Sequence, residues 1–161
     1  MHPAEAITDH RQHVLAVRDR KRAEALAIGL DEVVIDRVVE AFYARIRGDE
    51  LLGPIFTQRI ADWPPHLARM KQFWRSILLG TAEFNGNPMA RHQQIPGLDH
   101  AHFSHWLTLF YQTLRQECPQ PEGAALFGQR ARMIAESLLI GVEMHRDGLA
   151  VRGVKKELPH V

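Results

Sequence analysis

The chain has 161 residues, of which 45% are hydrophobic and 24% charged, proportions that fit one globular domain with a sizeable core and exclude a disordered or membrane-spanning chain. Twenty Lys and Arg against 19 Asp and Glu leave a net charge of +1, too near neutral for a dedicated nucleic-acid binder. The single cysteine, Cys118, excludes internal disulfides and cysteine-based zinc clusters. Charges begin at Glu5 with no apolar run behind them, which argues against a signal peptide. No stretch approaches the roughly 18 consecutive apolar residues of a membrane span, so a cytoplasmic protein is expected.

Residues 1–28 read as a charge-rich, weakly amphipathic extension. It has three open roles: covering the core, mediating self-association, or remaining disordered. Asp31 is an N-cap candidate, with Leu30 and Ile35 spaced for a hydrophobic staple. Ile35, Val38, Val39, Phe42, Tyr43 and Ile46 then recur at the spacing of one buried helical face, and Gly48 is expected to end it. The run LLGPIF, Leu51 to Phe56, reads as a turn.

Pro64 and Pro65 are tolerable together only in a first helical turn, which predicts a helix beginning there. His66, Met70, Phe73, Trp74 and Ile77 share its stripe, and Gly80 is its expected C-cap. Asn87 followed by Pro88 starts a short helix containing His92, bounded by Pro96. Asp99 caps a longer helix with the staple pair Leu98 and Phe103, and Trp106, Leu107, Phe110, Tyr111 and Leu114 continue its inner face. The last helix is expected from about Glu122 to Arg146, with Phe127, Ala131, Ile134, Ala135, Leu138 and Val142 inward. From Gly148 onward, through Lys155, Lys156 and Pro159, the tail reads as loose. No alternating strand pattern is present, so the fold class is all-α, divided into an extension (1–28), one domain (29–147) and a tail (148–161).

Several inward faces carry a polar tip: Tyr43 a hydroxyl, Trp74 and Trp106 an indole N–H, His66 an imidazole. Taken singly, each reads as core packing whose tip finds a carbonyl; four tips from three helices raise the prospect of a shared pocket. Of the ten histidines, His2, His10, His13 and His160 lie near the ends and read as solvated. His100 and His102 point to nearly opposite sides of a helix and cannot share an ion. His102 and His105 could, but no third ligand is evident. His92 has two readings, a half-buried residue of a connecting helix or a ligand presented by a rigid element, and spacing alone favours the first. Nucleotide-binding, serine-hydrolase and zinc-protease motifs are absent, and the one Glu-x-x-His spacing, Glu157 to His160, is broken by Pro159.

The runs FYARIRGDELLGPIF, HLARMKQFW, LLGTAEFNGNPMARHQQIP and HFSHWLTLF, in this order and spacing, resemble the bacterial truncated haemoglobins of the third group across about residues 31 to 146. That resemblance implies a globin-like, truncated 2-on-2 helical sandwich around non-covalent haem b. It makes His92 the proximal iron ligand. Tyr43, His66 and Trp106 match the distal groups that stabilise a bound ligand, and Phe56 matches the phenylalanine packed against the porphyrin. Phe73, Trp74, Met89, Met133 and Ile134 are candidates for the apolar wall, Arg69 and Arg91 for the haem propionates. The Gly-Gly pairs of other truncated globin groups are missing, as in the third group.

A single neutral imidazole leaves the sixth iron position open to O₂, NO or CO. Donors aimed at a ligand that gains negative charge hold it by about 1–3 kcal/mol each, and CO should gain less. Tight holding suits NO dioxygenation or a peroxidase-like reaction, with a reductase as partner, better than bulk oxygen transport. The alternatives are a haem-based gas or redox sensor acting through a partner, and a haem-free helical interaction module.

Overall fold

A computed structural model describes residues 3–148 and 156–161, with side chains from residue 6 onward; His2 and the part of the tail from 149 to 155, Lys155 included, lie outside the described residues. Seven helices follow one another: α1 (Pro3–Ala27), α2 (Glu32–Gly48), α3 (Gly53–Arg59), α4 (Trp63–Leu79), α5 (Pro88–Gln93), α6 (His100–Glu117) and α7 (Pro121–Asp147). α2 and α4 pack as one pair, α6 and α7 as another, and α2 crosses onto α6.

Helix starts follow short-range chemistry. The Asp31 carboxylate accepts the Val34 N–H at 2.8 Å, and Asn87 Oδ1 accepts the Ala90 N–H at 3.1 Å. Asp99 accepts the Ala101 N–H at 3.1 Å, while His102 Nδ1 lies 3.2 Å from the Asp99 N–H and accepts it, closing a capping box with histidine in the place of the usual Glu. Gly80 ends α4 at φ 66°, a left-handed conformation that glycine adopts without penalty.

Two expected boundaries shift. Gly48 lies inside α2, and Asp49 ends it in extended conformation. Its carboxylate turns back onto the Leu51 and Leu52 N–H groups at 3.0 and 2.9 Å. Leu51 to Phe56, expected as a turn, leads instead into α3. Gly53 sits so close to α2 that a Cβ there would lie 3.1 Å from the carbonyl oxygens of Ile46 and Arg47.

The core is an aromatic ladder. Phe42, Phe110 and Phe127 are fully buried. Phe110 meets Phe42 at 4.8 Å, Trp106 at 5.1 Å, Trp74 at 5.3 Å and Phe127 at 5.3 Å between ring centroids. Each such ring contributes about 1.5–3 kcal/mol through burial, which ties the two helix pairs together at their crossing.

The ends are more ordered than their composition suggests. α1 packs against α4; its Ala25 is fully buried, and Arg18 lies against Gly80. The tail expected to be loose docks over 156–161. Leu158 is 3% exposed, the Tyr111 hydroxyl donates to the Pro159 carbonyl at 2.7 Å, and Arg132 Nε donates to the Leu158 carbonyl at 3.3 Å. Val161 fills the space left by the missing side chain of Gly128. Among the described residues, no helix is long and apolar enough to cross a membrane.

Candidate functional site

α5 presents His92 through its own backbone. His92 Nδ1 lies 2.6 Å from the Pro88 carbonyl oxygen one turn earlier. A carbonyl only accepts, so Nδ1 carries the proton and donates it, and the lone pair is on Nε2. Burial lowers the imidazole pKa, partly opposed by the Pro88 hydrogen bond, so the ring is neutral at neutral pH, the form that binds a metal ion. α5 is seated on α7: Gln93 Nε2 donates to the Gly141 carbonyl at 3.2 Å. Met89 lies so close over Gly141 that its sulfur takes the space a Cβ there would need. Phe103 of α6 lies 6.4 Å from the His92 ring, at an interplanar angle of 33°.

A second cluster gathers on α2, α3 and α4. The Tyr43 ring stands 5.1 Å from His66, 5.8 Å from Phe56 and 6.0 Å from Trp63. Burial pushes the Tyr43 phenol well above its ordinary range, so it stays protonated and able to donate. His66 Nε2 is buried with no hydrogen-bond partner, a costly arrangement for a polar atom. Burial, and then the charges of Arg69 and of Arg91 on α5, lower the His66 pKa and keep that imidazole neutral. Trp106 reaches the cluster indirectly, edge-on to Phe42 at 5.3 Å, while Phe42 is edge-on to Tyr43 at 5.2 Å.

The remaining candidates distribute unevenly. Phe73 and Ile134 are half-buried beside the core, and Phe73 lies 5.1 Å from Phe84. Arg69 lies over the Phe84 ring at 6.0 Å, and Arg91 is exposed. Phe73 packs on Trp74 at 5.1 Å, and two further candidates lie away from the clusters. Trp74 is 3% exposed and packs 5.0 Å from Phe127, while Met133 is 52% exposed on the outer side of α7. Trp74 lies on a stripe whose spacing cannot separate pocket from core, and Met133 lies beside the inward stripe of α7 rather than on it.

Sequence reasoning missed Trp63, which meets His66 at 5.7 Å, because the stripe was read only from His66 onward, after the prolines. The signal was there, since Trp63 lies three residues before His66 on the same face. The remaining histidines of α6 have other work. His102 closes the capping box, and His105 Nε2 pairs with Asp49 Oδ2 at 2.6 Å. Among the described residues, no group of three or more His, Cys, Asp and Glu is arranged to hold a metal ion.

Residues 26–133 match the family model of the bacterial-like globins. The group 3 truncated haemoglobin of Campylobacter jejuni is 34% identical over 110 residues, covering 66% of this chain and 86% of that protein. This chain belongs to the bacterial-like globins, as a group III truncated haemoglobin. The crystal structure of the group III truncated haemoglobin from Campylobacter jejuni superposes with a TM-score of 0.66 at 33% identity, covering 70% of this chain and 91% of that one. The all-helical arrangement is therefore a truncated globin fold.

Membership implies a haem cofactor and small gaseous haem ligands, and the residues present fit such a group. The globin offers one neutral imidazole with a fixed tautomer and a free Nε2 lone pair. It also holds a buried imidazole nitrogen with no protein partner. The second is an atom that a protein core ordinarily satisfies internally.

Proposed function

We propose that this globin binds haem b non-covalently through His92 Nε2 and reversibly holds O₂, NO or CO in a polar pocket made by Tyr43, His66 and Trp106. The observation that carries the reading is the His92–Pro88 hydrogen bond of 2.6 Å, which aims a deprotonated nitrogen away from the helix backbone. When bound, haem supplies the iron that takes the diatomic ligand. Everything else is work for the chain.

The Pro88 carbonyl orients the His92 ring and strengthens its donor nitrogen, as second-shell acceptors do for metal-bound histidines. The Tyr43 hydroxyl stays protonated and so donates to a ligand that accumulates negative charge. His66, neutral, donates through one nitrogen at most. Trp106 offers its indole N–H from α6, held by the stacked Phe110 at 5.1 Å. Phe42, Phe56 and Trp63 exclude water around these donors, which raises the worth of each hydrogen bond. Phe56, Phe73, Met89 and Ile134 are suited to the apolar wall, and Arg69 and Arg91 to the propionates.

Several donors around one ligand slow its release. That supports O₂/NO redox chemistry in the cytosol, NO dioxygenation or a peroxidase-like reaction fed by a reductase, over bulk transport. Stopped-flow O₂ release tests this reading. Tyr43→Phe and Trp106→Leu are each expected to speed release about ten- to a hundredfold, the worth of a hydrogen bond in a dry pocket. Fast release in the wild type, unchanged in both variants, contradicts it.

A sensor function has one supporting observation: α1 packs on α4, the helix that carries His66. In that reading, CO binding changes the proteolysis of α1, and identical digestion with and without CO counts against it.

A further inference from the structure

We infer that Arg47 and Trp63 form a clasp that positions His66 and Tyr43, so that an exposed arginine outside the pocket sets how long a ligand stays inside it. The inference rests on the haem reading above and adds to it Arg47, which that reading does not use, and a positioning role for Trp63.

The start of α4 has no side-chain cap. Asp62 stands at the N-cap yet makes no side-chain capping bond, and Pro64 and Pro65 bring no N–H groups. The prolines fix φ and leave fewer N–H groups to satisfy, so side-chain packing is what remains to place this turn, and His66 is the fourth residue of the helix. Trp63, the first residue of α4, supplies the missing anchor by packing on Tyr43 at 6.0 Å and edge-on to His66 at 5.7 Å, with an interplanar angle of 86°. Its other partner is Arg47, whose guanidinium carbon lies 4.5 Å from the centre of the Trp63 ring.

Arg47 lies on the last turn of α2, where a positive charge also suits the helix dipole. Its side chain is exposed, with no ion pair among the described residues, so the indole is what it holds. The order from solvent inward is therefore Arg47, Trp63, then His66 and Tyr43. Beside the clasp, Arg47, Asp49, Gly53, Pro54 and Thr57 line a shallow, open depression of the surface. Trp63 and Arg47 are positioning residues: neither needs to touch the ligand.

The test uses the haem-loaded protein with CO as probe. CO association and dissociation rates are measured for Arg47→Gln, Arg47→Lys and Trp63→Leu, and the His66 imidazole ¹⁵N resonances are recorded for each. Arg47→Gln is expected to raise both rates about two- to fivefold, the range an exposed cation–π contact supports, and to shift or broaden the His66 lines. Arg47→Lys restores both, because an ammonium still sits over the ring. Trp63→Leu gives the larger change, about tenfold, since aromatic packing is lost as well.

Unchanged rates and unchanged His66 lines in Arg47→Gln overturn the clasp, also where the melting temperature falls, since that outcome is packing alone. The His66 lines are recorded in the haem-free chain too. Movement there supports the clasp independently, and failure to take up haem contradicts the haem reading alone.

Discussion

On α5 one imidazole is held by a carbonyl of its own six-residue helix, whereas Tyr43, His66, Phe56 and Trp63 come from three helices and hold one another. The first arrangement is local and has no substitute. A different residue at position 92 removes the only nitrogen that α5 presents with a free lone pair. The second is distributed, so removing one ring leaves neighbours that still exclude water and donate. A strong bond to a cofactor needs one well-aimed atom, while graded control of a ligand needs several weak contacts that can be tuned separately.

The largest effect expected from breaking this contrast lies beneath the distributed side. Phe42 touches Tyr43, Trp106 and Phe110 at 5.2, 5.3 and 4.8 Å, so Phe42→Ala removes the ring that joins Tyr43 to Trp106. A loss of about 3–5 kcal/mol is expected in urea unfolding. A loss below about 1 kcal/mol would mean that the cluster does not depend on its inner packing.

The local side has a smaller dependence that is easier to isolate. Asn87→Ala removes the one side-chain cap of α5, the bond from the Ala90 N–H. It should cost about 1 kcal/mol and speed haem transfer to an acceptor globin, with CO release nearly unchanged. The opposite pattern would show that α5 also governs the ligand.

The smallest expected effect is a pH dependence at the hinge between α2 and α3. Burial pushes the Asp49 carboxyl up. The hydrogen bond from His105, the Leu52 and Leu51 N–H groups and the His105 charge outweigh it and leave the pKa below its ordinary value. With the folded pKa depressed, the unfolded chain binds the extra proton first. Stability from Asp49 is therefore complete above the ordinary carboxylate pKa and is lost as pH falls through the folded value. Asp49→Asn should make the acid limb of the stability curve shallower, and an unchanged limb would remove His105–Asp49 from the account.

How much of this was legible in the sequence follows the same division between local and distributed. Asp31, Asn87, Asp99 and Gly80 could be read directly, because each cap is decided within three or four residues. α3 could not, because Gly53 and Pro54 look like turn residues until α2 lies against them. α1 has no apolar stripe, and only its packing on α4 gives it a place. The docking of Leu158 to Val161 depends on space over Gly128 and a hydroxyl on Tyr111, groups far away in the chain. The spacing of Trp74 and Trp106 is alike, and both rings pack on Phe110; tertiary packing sets Trp74 also on Phe127 and Trp106 also on Phe42, the neighbour of Tyr43.

The most direct measurement is the absorption spectrum of the purified protein beside His92→Gly, in ferric, ferrous and CO-bound forms. The account predicts a sharp haem band in the wild type that shifts with CO, is lost or altered in His92→Gly, and returns when free imidazole is added to the variant. A wild type with no haem band after addition of hemin, or a variant with an unchanged spectrum, would contradict it.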